Sequence, residues 1–206
     1  MRIKYLFFSL FFLSPVLSFA QENLKRNWND EIIERANTGN KADHLSEDEK
    51  KVLLYMNLAR IDGPRFKETV LDPYIHENDM KRNSYARSLQ KELEKSESLS
   101  PLYPSGELFK IANNHAKKSG KTGHVGHKNF KDRYTPALEN FKMVGENCDY
   151  GNQEPLDIVM SLLIDDGIKN LGHRKNIMNE KFTHVGISIQ PHKKYKVNCV
   201  MSFGAM

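Results

Sequence analysis

The sequence predicts an α+β fold. Helical patterns come first, two alternating strands joined by the short turn QPHKK close the chain, and no internal repeat or regular strand–helix alternation points to a doubly wound parallel sheet.

The chain opens MRIKYLFFSLFFLSPVLSFA. Arg2 and Lys4 precede an uncharged run from Tyr5 to Phe19, and Ser18 and Ala20 are the small residues a signal peptidase reads. Residues 1–20 are therefore expected to be a secretory signal peptide cleaved before Gln21. Pro15 and the small-residue end argue against a retained transmembrane anchor. Cleavage leaves 206 − 20 = 186 residues, which suits one domain with an N-terminal extension, and lowers the net charge from +5 to +3. With so small a charge and no basic stripe interleaved with aromatics, nucleic acid is not expected as a partner.

Residues 21–45 form the polar extension and hold the only tryptophan, Trp28. The domain itself is expected over 46–206. Its first helix starts in SEDEKKVLLYMNLARI, where Ser46 and Glu49 make a Ser-x-x-Glu capping box and Val52, Tyr55, Met56 and Ala59 recur at helical spacing. Gly63-Pro64 stops it. A second helix is expected in RFKETVLDPYI, and the charge-rich SYARSLQKELEKS reads as a solvated helix. SGELFKIANNHAKKSG is the next clear one, with Leu108, Ile111, Ala112, His115 and Ala116 on one stripe and Gly120 near its end. The stripe makes His115 a packed core residue. Residues 123–152 are rich in Gly, His and Asn and show no strong period. Pro155 opens the last helix, PLDIVMSLLIDD. THVGISIQ and KYKVNCVMSF then alternate as a hairpin.

The only cysteines are Cys148 and Cys199. In an exported chain such a pair is more often a disulfide than a metal pair or a nucleophile. The alternative is two buried free thiols, and the sequence leaves both open.

Three segments left over by the helices share a chemistry: GHVGHKNF offers His124 and His127, VGENCDYG offers Glu146, and LLIDDGIKNLGHRKNIMN offers Asp165, Asp166 and His173. Imidazoles with carboxylates compose a divalent-metal site or an acid–base site. The plainer alternative is Glu146 at a strand edge, His173 as a helix cap and the two aspartates as solvated ends. There is no Gly-x-Ser-x-Gly elbow, and neither cysteine has an evident base partner.

The motifs YMNLAR, IANNHAKKSG followed by HVGH, then GEN, GHRKNIMN and FTHVGISI resemble, in that order, the CAP superfamily of cysteine-rich secretory proteins, insect venom antigens and plant pathogenesis-related proteins. The Gly-His-Arg-x-Asn-Ile form is similar to the bacterial branch, and the resemblance covers Ser46 to Gly204. It implies an α-β-α sandwich with a three-stranded antiparallel sheet and a cleft holding a His/acid tetrad. The family's first histidine lies about twelve residues after the helix histidine; here 127 − 115 = 12 selects His127 over His124. Gly-Glu-Asn gives Glu146 and Gly-His gives His173. The fourth member follows a helix tryptophan by three; Leu162 stands in that place, so 162 + 3 = 165 selects Asp165, one methylene short of a glutamate, with Asp166 as the substitute. Asn57 and Arg60 match the first helix as bracing residues. The resemblance implies a secreted or periplasmic binding module. Its metal site would be His127, His173, Glu146 and Asp165, zinc the first choice, beside a groove for a lipid, peptide or envelope ligand. The alternative it leaves is a metal-dependent hydrolase with Glu146 as the catalytic general base.

Overall fold

The computed structural model describes residues 26–206. The signal peptide expected over 1–20 lies outside the described residues. Helix α1 (Asp30–Ala36) belongs to the N-terminal extension, and Trp28, Ala36, Ala42 and Leu45 are buried in the main core. Helix α2 (Glu47–Ile61) starts with the expected capping box, Ser46 N donating to Glu49 Oε2 and Glu49 N to Ser46 Oγ. The other Glu49 oxygen accepts from Ile189 N at 2.8 Å, so the cap also ties the helix to the sheet.

The second expected helix is interrupted. α3 (Gly63–Phe66) passes through a π turn, Lys67–Leu71, into α4 (Asp72–Glu77). Pro73 cannot donate a backbone hydrogen bond, and the ladder shifts register just before it, with Asp72 N reaching Lys67 O. α5 (Ser84–Glu94) buries Ala86, Leu89 and Leu93. A two-residue strand β1 (Tyr103–Pro104) leads to α6 (Gly106–Thr122), which ends at Gly123 in the left-handed conformation rather than at Gly120. The short α7 (Phe130–Tyr134) precedes β2 (Met143–Tyr150). α8 (Pro155–Ile164), α9 (Gly172–Ile177) and the hairpin β3 (His184–His192) and β4 (Lys196–Ala205) complete the chain.

The sheet runs β1-β3-β4-β2, antiparallel except for β1, which lies parallel to β3. It is therefore the three-stranded antiparallel sheet of the sequence reading with a short fourth strand added. Because side chains alternate along a strand, one face presents Val185, Ile187, Met201 and Phe203 to α2 and α8, and the other presents Ser188, Val200 and Cys148 to α6. Helix α6 crosses so closely over Gly186 that a Cβ there would strike the backbone at Leu108 and Phe109. The result is helix, sheet, helix.

Two buried polar residues of α2 hold the surrounding loops. Asn57 donates to the carbonyls of Ala36 and Leu102 and accepts from Leu102 N. Arg60 is wholly buried and has no acidic partner among the described residues: it donates to the carbonyls of Ser100, Ile177, Asn179 and Phe182. Burial lowers its pKa to about 10, which still leaves it charged at neutral pH. Two of those carbonyls, Ile177 and Asn179, end the α9 segment, so Arg60 fixes where that helix sits. Lysine has the charge but not the planar fork, so Arg60→Lys is expected to lower unfolding free energy by about 3 kcal/mol in urea at unchanged m-value, through carbonyls left without donors. A loss under about 0.5 kcal/mol would mean that these bonds do not hold the loop.

Candidate functional site

The site lies along β2, an edge strand. Glu146 points to the α6 side, in register with Ser202, and its side chain is only 1% exposed. A carboxylate so placed needs its charge answered. His127 Nδ1–H donates to Oε1 at 2.9 Å; Arg133 forks onto both oxygens, Nη1 to Oε2 at 2.5 Å and Nη2 to Oε1 at 2.8 Å. The Tyr134 hydroxyl donates to Oε2 at 3.1 Å and meets Ser202 Oγ at 2.5 Å. Burial would raise the Glu146 pKa, but the bonds from His127 and Arg133 and the guanidinium charge outweigh it and lower it from 4.5 to about 2. Its folded value lies below its unfolded one, so its stabilising contribution is full above about pH 4.5 and is lost as pH falls toward 2. His127 itself is held by its loop: Gly126 N donates to Tyr150 Oη, and His115 Nε2–H donates to Gly126 O at 2.9 Å.

The second half comes from the other side of β2. α8 ends at Ile164, and Asp165 takes a left-handed conformation (φ 57°, ψ 42°) that an aspartate adopts at modest cost. That turn aims its carboxylate at α9. Oδ2 accepts from His173 N at 2.9 Å and Arg174 N at 3.4 Å, while Oδ1 accepts from His173 Nδ1–H at 2.7 Å. The carboxylate at the C-terminus of α8 thus caps the N-terminus of the next helix. Asp166 is exposed and instead accepts from Asn83 Nδ2. Arg174 turns into the core and donates to the carbonyls of Leu163 and Ile164, the negative end of α8. Asn176 donates to Glu146 O and Asn147 Oδ1, and Asn147 donates to His173 O, which laces α9 to the strand.

His127, Glu146, Asp165 and His173 thereby come together, with the two imidazole centroids 6.4 Å apart. They form two carboxylate–imidazole pairs. The acids are 1% exposed, whereas His127 is 47% and His173 23% exposed, so the imidazoles form the solvent side. In both rings Nδ1 is committed to a carboxylate, and Nε2 has no hydrogen bond among the described residues. His124 lies outside the pairs; its carbonyl accepts from His192 Nε2–H.

Deeper in, ligand atoms of His115, Glu146 and Cys148 lie within 4.8 Å of one another, all buried. Burial pushes the Cys148 thiol up, and burial holds His115 below its usual range against the pull of Glu146. The fork of Arg133 already occupies Glu146 there. A cation held by this group would have to displace that fork.

The disulfide reading is corrected: both cysteines are free. Cys148 pairs in register with Val200 and Cys199 with Asp149, so adjacent strands send the two thiols to opposite faces of the sheet, Cys148 under α6 and Cys199 in the main core.

Sequence reasoning passed over Arg133, Tyr134 and Asn176. Arg133 lies in the stretch without a strong period, thirteen residues from Glu146. The signal that could have found it is the need of a buried Gly-Glu-Asn glutamate for a cation.

The chain matches the family model of the cysteine-rich secretory protein family, CAP, over residues 55–203. No curated protein matches it significantly. Among solved structures, the venom allergen-like protein 4 of Schistosoma mansoni shares 13% identity at a TM-score of 0.50, over 78% of this chain and 90% of that one. An outer surface protein of Borrelia burgdorferi shares 21% at 0.44, over 63% and 93%. An extracellular SCP-domain protein of Bacillus anthracis shares 22% at 0.39, over 52% of this chain and 35% of that one, so this chain spans about a third of that protein.

Arg133→Met should leave Glu146 buried without a counter-charge and cost about 3–5 kcal/mol in urea unfolding. Adding Glu146→Gln should restore at least half of that. Two additive losses would show that the fork is not what neutralises Glu146.

Proposed function

Because the chain belongs to the cysteine-rich secretory protein family, we propose that it is a secreted binding module, not an enzyme, whose cleft holds a divalent cation on His127 and His173. One observation carries this reading. Each imidazole is fixed through Nδ1 by a buried carboxylate and keeps Nε2 free on the solvent side, among the described residues. Neutral imidazoles oriented in this way are the usual donors for zinc, and the carboxylates behind them raise ligand basicity rather than bind the ion. Glu146 and Asp165 therefore serve as orienting groups instead of ligands. Beside the cation, a groove takes a lipid, peptide or envelope component.

The hydrolase alternative needs Glu146 as a general base. Against it stand the fork of Arg133 on both oxygens and a pKa near 2, far below what proton abstraction at neutral pH favours. Export is supported by the charged, apolar and small-residue order of residues 1–20. No helix among the described residues is long and apolar enough to cross a membrane.

The test is calorimetric titration with zinc at about pH 7.5. His127→Ala and His173→Ala should each abolish uptake with the fold retained, and Asp165→Asn should weaken it about 10–100-fold. Uptake that survives the histidine double variant, or that vanishes only in His115→Ala, would place the ion elsewhere and refute the proposal.

A further inference from the structure

Two stretches of the chain contain no acidic residue: 108–131, between Glu107 and Asp132, and 181–206, after Glu180. The fold lays one end of each against the other. Lys193 N donates to Gly120 O at 2.9 Å, His192 Nε2–H donates to His124 O at 3.0 Å, and the Pro191 carbonyl lies where a Cβ on Gly120 would be. The last turns of α6 and the β3–β4 turn thus share one tip of the molecule. Lys117, Lys118, Lys121, Lys193, Lys194 and Lys196 are exposed there, and none forms an ion pair among the described residues.

Two apolar side chains stand out in the same place. Tyr195 is 38% exposed and Val125 45%. Tyr195 packs on Tyr150 and His192, whose partners Gly126 and His124 flank Val125 in the chain. Lysines at a helix C-terminus are accounted for by the helix dipole, which covers Lys117, Lys118 and Lys121. It covers neither the three lysines of the turn nor the exposed valine and tyrosine.

We propose that this tip docks the protein on an anionic phospholipid surface, the lysines meeting headgroup phosphates and Tyr195 and Val125 entering the interfacial layer. An aliphatic side chain beside an aromatic one fits the edge of a bilayer, where amphipathic rings settle. A polynucleotide would instead be met by a longer basic stripe with stacking aromatics, and the valine would have no role. Val125 lies two residues before His127 in the chain. The proposal does not depend on a metal there.

The experiment is co-sedimentation of the full chain with vesicles of phosphatidylcholine, alone or with about 30% phosphatidylglycerol, at about 0.1 M salt. The readout is the difference between the two lipids and its change in the turn variants, because Arg2 and Lys4 beside the uncharged Tyr5–Phe19 run also favour anionic lipid. Binding should favour the anionic vesicles and fall away at about 0.5 M salt. Lys193→Ala/Lys194→Ala should weaken that preference about twenty-five-fold, a factor of about five for each lysine. Tyr195→Ala should weaken it several-fold, whereas Lys91→Ala/Lys95→Ala on and beside α5 should leave it intact. Equal binding to both lipids, a preference unchanged in the turn variants, or tighter binding to duplex DNA at matched phosphate would each overturn the proposal.

Discussion

A carboxylate buried on a sheet must be met by positive charge and hydrogen bonds, and Glu146 imposes that requirement on everything around it. One of its partners comes from the loop after α6 and two adjacent ones from α7: His127, Arg133 and Tyr134 all converge on its two oxygens. Those segments have little apolar surface of their own, with Tyr134 the one buried residue of α7. Their positions are therefore set by the acid they neutralise more than by hydrophobic burial. The same interaction decides chemistry. A glutamate saturated by a guanidinium fork is a poor base and a poor ligand, but it holds an imidazole in one orientation and one tautomer.

The second half of the cleft follows the same logic with different parts. Asp165 joins α8 to α9, and its left-handed turn lets one carboxylate cap a helix and hold His173 together. Arg174, next in the chain, returns to the end of α8, and Arg60 closes the far end of α9. The short helix carrying His173 is thus fixed at both termini by polar contacts to buried partners. Two independent carboxylate–imidazole pairs meet across β2, the edge strand of the sheet among the described residues. An edge position also keeps the imidazoles open to solvent.

Much of this was legible in the sequence wherever the cause was local. The Ser46–Glu49 box, the Pro155 start and the stripe on α6 depend on residues a turn apart. Strand β2 was not legible as a strand. Met143–Tyr150 is buried on both faces for most of its length, so it lacks the alternation that marks a half-exposed strand. Asp165 was reached by counting from Leu162, but its separation from Asp166 is a matter of backbone conformation that composition does not carry. The choice between a disulfide and two buried free thiols stayed open for a similar reason: whether two cysteines on neighbouring strands share a face depends on register, which pairs Cys199 with Asp149 rather than Cys148. The lysine tip was invisible because its halves lie some seventy residues apart and meet only through the α6–hairpin contact.

The central claim is that buried carboxylates hold both imidazoles through Nδ1 and leave Nε2 free. Long-range nitrogen–proton correlation NMR on histidine-labelled protein at about pH 8 reads this directly, since each tautomer has a distinct pattern of ring-nitrogen shifts. His127 and His173 should both appear as the Nδ1–H tautomer, with an unprotonated Nε2. Finding either ring as the Nε2–H tautomer, the form that predominates for an imidazole in free solution, would contradict it.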